Sequence, residues 1–138
     1  MGTRIQRSFR FDPAVLERLE KVATELGITR TALVERYVEE GLRQEVHSGI
    51  VFVDEPAGRR ARVGGTGLDV WEVVRIVQDH NGSAAEAAAY LEVPERLVLI
   101  AMRYYADFSY EIDAWIAEND RFYEVELARQ RRVADALG

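Results

Sequence analysis

The chain has 138 residues, 48% of them apolar, a net charge of −6 and no cysteine. That length holds one ordinary domain or two small ones with a packed core, and no stretch approaches the roughly 20 apolar residues of a membrane span. The missing cysteine excludes disulfides, thiolate nucleophiles and thiolate zinc sites, and with an N-terminus that lacks the apolar core of a secretory signal it predicts a cytoplasmic protein.

The charge is unevenly spread. Up to Phe11 there are three arginines (Arg4, Arg7, Arg10) and no acid, and through Glu45 eight basic residues balance eight acidic ones. From Val46 onward ten basic residues face sixteen acidic ones, so the whole excess lies in the second part. Such a distribution is compatible with DNA at one end and a basic protein at the other. It is equally compatible with an acidic surface that only keeps the protein in solution.

Arg4 to Phe11 alternates, with Arg4, Gln6, Ser8 and Arg10 on one face of a predicted strand and Ile5, Phe9 and Phe11 on the other; Arg7 breaks the apolar side. Asp12 is a predicted helix cap and Pro13 suits the first helical position. Val15, Leu16, Leu19, Val22, Ala23 and Leu26 then recur at helical spacing, and Gly27 supplies a left-handed stop. Thr29 is a second cap, before a helix marked by Leu33, Val34, Tyr37, Val38 and Leu42. One strand and two helices lie near the roughly 40-residue floor for an independent fold. Two copies solve the problem: the strands pair antiparallel, four helices share a core, and the ribbon presents Gln6, Ser8 and Arg10 outward. A two-stranded ribbon fits the DNA major groove. The alternative is a strand that only dimerises and turns its polar residues to water.

The strand QRSFRF, the helix VLERLEKVATELG and the turn ITRTALVERYV resemble the ribbon-helix-helix family of MetJ/Arc-type repressors over roughly Arg4 to Glu45. The resemblance implies base contacts from Gln6, Ser8 and Arg10, assisted by Arg4, and a phosphate-binding helix start at Thr29, Arg30 and Thr31. Arg10 suits guanine and Gln6 suits adenine through paired hydrogen bonds. A helix N-terminus bearing hydroxyls suits a phosphate.

Residues 46–49 (VHSG) read as a short joint. Ile50–Val53 is a predicted strand, residues 54–58 a turn, and Arg59–Val63 a returning strand. The Gly64-Gly65-Thr66-Gly67 bend lacks the Lys-Ser/Thr of a P-loop and the spacing of a dinucleotide fingerprint, so it reads as backbone geometry. Asp69 to His80 is helical in pattern. Ser83 with Glu86 forms a capping box before AAEAAAYL, and Pro94 opens ERLVLIAMRYYADF. The outline is helix-turn-helix. The third helix is apolar on most sides, which points to burial rather than groove reading.

GIVFVDEPAGRRARVGGTGLDVWEVV, SAAEAAAYL and LVLIAMRYYADFSYEIDAWI resemble the antitoxin-associated domain-of-unknown-function family 433, from about Gly49 to Asn119. GTGLDVWEVV is the most specific portion. The resemblance implies a VapB-like antitoxin whose partner toxin has a PIN-like nuclease fold. Gly58-Arg59-Arg60 departs from the family's usual Gly-Arg-Pro approach to its bend, which points to a subfamily.

Beyond this, Ile112, Trp115, Ile116, Tyr123, Leu127, Val133 and Leu137 lie near one stripe of an amphipathic helix. Acids crowd its early part, and Arg129, Arg131 and Arg132 lie near its end, where they suit the helix dipole. The stripe either packs on its own domain or lies in a toxin groove; on the second reading Trp115, Ile116, Tyr123 and Leu127 are the toxin contacts.

Nothing in the chain reads as catalytic. His47 and His80, the two histidines, lack metal-site spacing. Asp107, Glu111 and Asp113 cluster as magnesium ligands of a nuclease would, or as a solvated helix face would. The expectation is a mainly α protein with short β: a ribbon-helix-helix dimer over 1–46, then a small helix-turn-helix-like helical domain over 50–138 with a β-hairpin and a C-terminal amphipathic helix. The expected function is an antitoxin and autorepressor that binds operator DNA and a toxin, with no cofactor or metal and no membrane. The alternative is a one-component repressor whose second domain binds a small molecule or oligomerises.

Overall fold

The computed structural model describes residues 2–138. The protein is mainly helical with one two-stranded antiparallel hairpin. The chain divides into two compact units, Met1–Arg43 and Gln44–Gly138.

In the first unit, residues 2–12 form no strand. A strand exists through hydrogen bonds to a neighbour, and this segment has no neighbouring strand in the single chain. Helix α1 (Pro13–Leu26) starts where Asp12 accepts a hydrogen bond from the Ala14 amide at 2.9 Å. It ends at Gly27, whose φ of 68° is the left-handed stop that glycine allows. The Ile28 amide then closes back on the Ala23 carbonyl. Helix α2 (Arg30–Val46) starts at Thr29, whose Oγ1 accepts from the Ala32 amide at 3.1 Å.

Packing in this unit is sparse. Among its described residues only Ala23 and Leu33 are buried. Ile5, Phe9, Phe11, Val15, Leu26, Tyr37, Val38 and Leu42 all remain exposed, Phe9 at 77%.

The second unit packs a full core. Strands β1 (Ile50–Glu55) and β2 (Gly58–Val63) pair from Ile50 opposite Val63 to Glu55 opposite Gly58. The turn is therefore only Pro56-Ala57, shorter than its polar sequence predicts. Helix α3 (Val70–Asp79) buries Val70, Val73, Val74 and Val77, one face of a 3.6-residue period. Helix α4 (Ala84–Leu91) is capped by Ser83, whose Oγ accepts from the Glu86 amide at 3.1 Å. Its buried Ala87 and Ala88 let it approach its neighbour closely.

The helical run α5 (Glu95–Leu137) joins what the sequence reads as two helices. Phe108, at φ −129° and ψ 38°, breaks it. Two side-chain bonds span the break: Tyr104 donates to Glu111 and Tyr105 donates to Asp113, each at 2.7 Å. The bend lets both halves reach one core, Val98, Ala101 and Tyr104 from the first and Ile112 and Ile116 from the second. Each such large apolar side chain contributes about 1.5–3 kcal/mol through burial.

The predicted short joint at 46–49 falls within the second unit. α2 continues to Val46, the Gln44 side chain donates to the Ile50 carbonyl at 3.1 Å, and His47 is buried. His47 Nε2 lies 2.7 Å from Asp107, and its ring meets Tyr104 and Phe108 edge-on. No helix among the described residues is long and apolar enough to cross a membrane.

Candidate functional site

The first candidate site is the outer face of the first unit. Gln6, Ser8 and Arg10 are exposed, as are Thr29, Arg30 and Thr31 at the start of α2. Arg4 is tied to Glu35 of α2 instead of standing free. The Gln6 carbonyl accepts from the Arg7 guanidinium at 3.0 Å, which leaves the Gln6 amide side chain outside that bond. Arg30 pairs with Glu20 at 2.7 Å, an exposed contact that a phosphate can displace. The Thr29 oxygen is occupied by its cap, yet a hydroxyl that accepts still has a proton to donate. Sequence reading missed both acidic partners, because Glu35 and Glu20 lie on helices whose packing it does not define.

Arg7 and Ser8 also border a concavity of about 420 Å³ whose apolar lining includes Phe9, Phe11, Leu16, Leu19 and Val34. These are the side chains that alternation and helical spacing assign to a core. In one chain Leu16, Leu19 and Val34 are half-buried, and Phe9 and Phe11 stay exposed.

The second candidate site lies around α5, where the four proposed toxin contacts separate. Ile116 belongs to the core at 9% exposure, so it is corrected from a partner anchor to a packing residue. Trp115 is half-buried: the Arg60 guanidinium lies 5.0 Å from its ring centroid, and its edge covers Gly58 at the hairpin turn. Gly58 has φ +136°, and a Cβ there would meet the indole at 3.2 Å. Tyr123 is 62% exposed, and Leu127 is partly covered. Phe122, which the sequence reading passed over, is also exposed. It borders a concavity of about 190 Å³ with Trp71, Trp115, Arg60, Glu118 and Asn119.

Behind this surface sits a polar hub that spacing alone does not reveal. Asp69 is buried and accepts from Arg60 at 3.1 Å, Arg62 at 2.9 Å and the Trp71 indole at 3.2 Å. Arg62 also reaches Glu55 at 2.7 Å. Its guanidinium is held above its ordinary pKa, first by the Glu55 hydrogen bond and then by Asp69. The Asp69 amide in turn donates to Glu72 at 3.0 Å. The specific stretch GTGLDVWEVV therefore serves architecture: it supplies the acid that locks the hairpin to α3. The second arginine of Gly58-Arg59-Arg60 is one of the two cations that neutralise it.

Asp107, Glu111 and Asp113 do not converge. Each faces a different partner: His47, Tyr104 and Tyr105. Among the described residues no group of three or more metal-ligating side chains is placed to hold an ion.

No protein-family model, curated protein or solved structure matches this chain.

Proposed function

We propose that the chain is the antitoxin of a type II toxin–antitoxin pair. Its first unit, paired as a ribbon-helix-helix dimer, binds operator DNA and represses the chain's own operon. Its second unit holds a toxin, a PIN-like ribonuclease by the resemblance of residues 49–119.

One observation carries this reading. The first unit leaves Ile5, Phe9, Phe11, Tyr37, Val38 and Leu42 uncovered while burying only Ala23 and Leu33. So much apolar surface on so few residues calls for a twin. Pairing residues 4–11 of two copies closes one edge of each strand and turns Phe9 inward. The same register turns Gln6, Ser8 and Arg10 outward toward a groove. The exposed start of α2 then offers the Arg30 and Thr31 amides to a phosphate. On the second unit, the partner face comprises Tyr123, Leu127 and Phe122 with the edge of Trp115. The acids around them favour a basic toxin surface and mainly speed association.

The test is a promoter gel shift together with coexpression of the adjacent open reading frame. Arg10→Ala and Gln6→Ala each lose about 1–3 kcal/mol of operator binding while the dimer stays folded. Arg30→Ala weakens all sequences alike and flattens the salt dependence. The adjacent product copurifies with the full chain, and Tyr123→Ala with Leu127→Ala releases it. Strand variants that bind the promoter like the parent remove the groove assignment. A dimer that binds its promoter but captures no toxin leaves the one-component repressor in its place.

A further inference from the structure

The last third of α5 carries a largely exposed face with a regular order, of which only Leu127 is partly covered. Tyr123, Leu127, Gln130, Ala134 and Leu137 alternate spacings of four and three, the repeat of a two-helix seam. Tyr123 and Leu137 are well exposed, and no residue of α5 beyond Phe108 leaves helical geometry. Beyond Asp120, which pairs with Arg75 of α3, the ion pairs lie within the helix: Arg121 with Glu118 and Arg129 with Glu126. Glu124 and Arg131 flank the seam on the same side, seven residues apart, and neither has an ion-pair or hydrogen-bond partner among the described residues.

The charge order decides what fits this face. Acids predominate first (Glu118, Asp120, Glu124 and Glu126, with Arg121 among them), and arginines predominate after them (Arg129, Arg131 and Arg132, before Asp135). A parallel copy would turn Arg131 toward Glu126 of its partner, an acid already held by Arg129, and would leave Glu124 beside Asn119. An antiparallel copy sets Glu124 of each chain beside Arg131 of the other, twice by symmetry. The same register places Leu127 against Gln130 and Tyr123 against Ala134, a large ring opposite a small side chain, as interlocking packing requires.

We propose that in the toxin-free protein this segment pairs antiparallel with the same segment of a second copy, through the Tyr123–Leu137 seam and the reciprocal Glu124–Arg131 contacts. The pairing stands on the geometry of α5 alone. Its consequence rests on the functional reading: the seam contains Tyr123 and Leu127, so self-pairing and toxin binding exclude one another. A toxin then has to displace a bound copy, which keeps the apolar face covered until the toxin is present.

The absence of cysteine in the chain makes the register directly readable. Full-length Tyr123→Cys protein is mixed with full-length Ala134→Cys protein under mild oxidation, and disulfide-linked dimers are resolved by mass. Within one helix these positions lie about 16 Å apart, so the antiparallel register links unlike chains and leaves like chains apart. Reversing one charge, as Glu124→Arg, slows that linkage by about fivefold, the effect of two exposed contacts of roughly 0.5 kcal/mol each. Combining Glu124→Arg with Arg131→Glu restores it. Arg132→Cys, on the opposite side of the helix, reports random collision. Like–like linkage as fast as unlike linkage overturns the antiparallel register, and unlike linkage no faster than the Arg132→Cys control overturns the pairing. Neither result depends on whether the protein binds a toxin.

Discussion

The first unit is somewhat poorer in apolar residues than the second, 18 of 43 against 48 of 95, and the two spend them differently. The second closes a core in which Val70, Val74, Val98, Ala101 and Tyr104 are fully inaccessible. The first exposes most of its large apolar side chains and encloses Leu33 and Ala23. Chain geometry adds to this modest difference in composition. A hairpin and three helices surround a common interior from several sides. Two helices and an extended segment have only two layers' worth of surface, and one face of each is left without a partner. An apolar face without a partner in a single chain is information about assembly.

The sharpest way to break this comparison is to remove the centre of the complete core. Tyr104→Ala costs about 3–5 kcal/mol, the loss for truncating a large buried ring. It also deprives Glu111 of its donor across the α5 bend. Urea unfolding of the full chain reads it as an early loss of the second unit's structure. Next comes Phe9→Asp. On the monomer's surface such a change stays within about 0.5 kcal/mol. In a shared core it buries an unpaired charge and weakens the dimer by at least about a hundredfold. Sedimentation across a concentration series separates the two outcomes, and a mutant that dimerises like the parent shows that residue 9 faces water.

A smaller effect tests whether the hub at Asp69 holds the second unit together. Asp69→Ala leaves Arg60 and Arg62 facing each other without their shared acid, a loss of about 2 kcal/mol after allowing for partial exposure. Thermal unfolding measures it, and Asp69→Asn, which keeps one acceptor oxygen, recovers part of the loss. The smallest effect concerns the α5 bend. Tyr105 is held above the ordinary phenol value of 10.0, first by its hydrogen bond to Asp113, then by desolvation and by the carboxylate charge. Its pKa is raised on folding, so the stabilisation is fully present below pH 10 and is lost as pH rises through the folded value. Tyr105→Phe removes that loss and costs about 0.5 kcal/mol at neutral pH. An ultraviolet titration in which the parent and Tyr105→Phe differ only by a phenol ionising below 10 contradicts the hydrogen bond.

Local rules determined much of this protein directly. Asp12-Pro13 and Gly27 bound α1, Thr29 starts α2, and Ser83 starts α4, because a cap needs only residues within one turn. The valines of α3 declared their buried face through spacing alone. What the sequence could not decide were matters of long range. The Arg4–Phe11 alternation predicts a strand that the single chain does not form. His47 reads as part of a joint until Asp107, 60 residues away, comes within 2.7 Å of it. Trp115 and Ile116 are neighbours on one stripe. Only the bend at Phe108 turned Ile116 into the core, set Trp115 against the hairpin, and carried Tyr123 beyond both. Periodicity orders residues around a helix axis. Which part of that face meets protein and which meets water depends on where the rest of the chain stops, and that is set by tertiary packing.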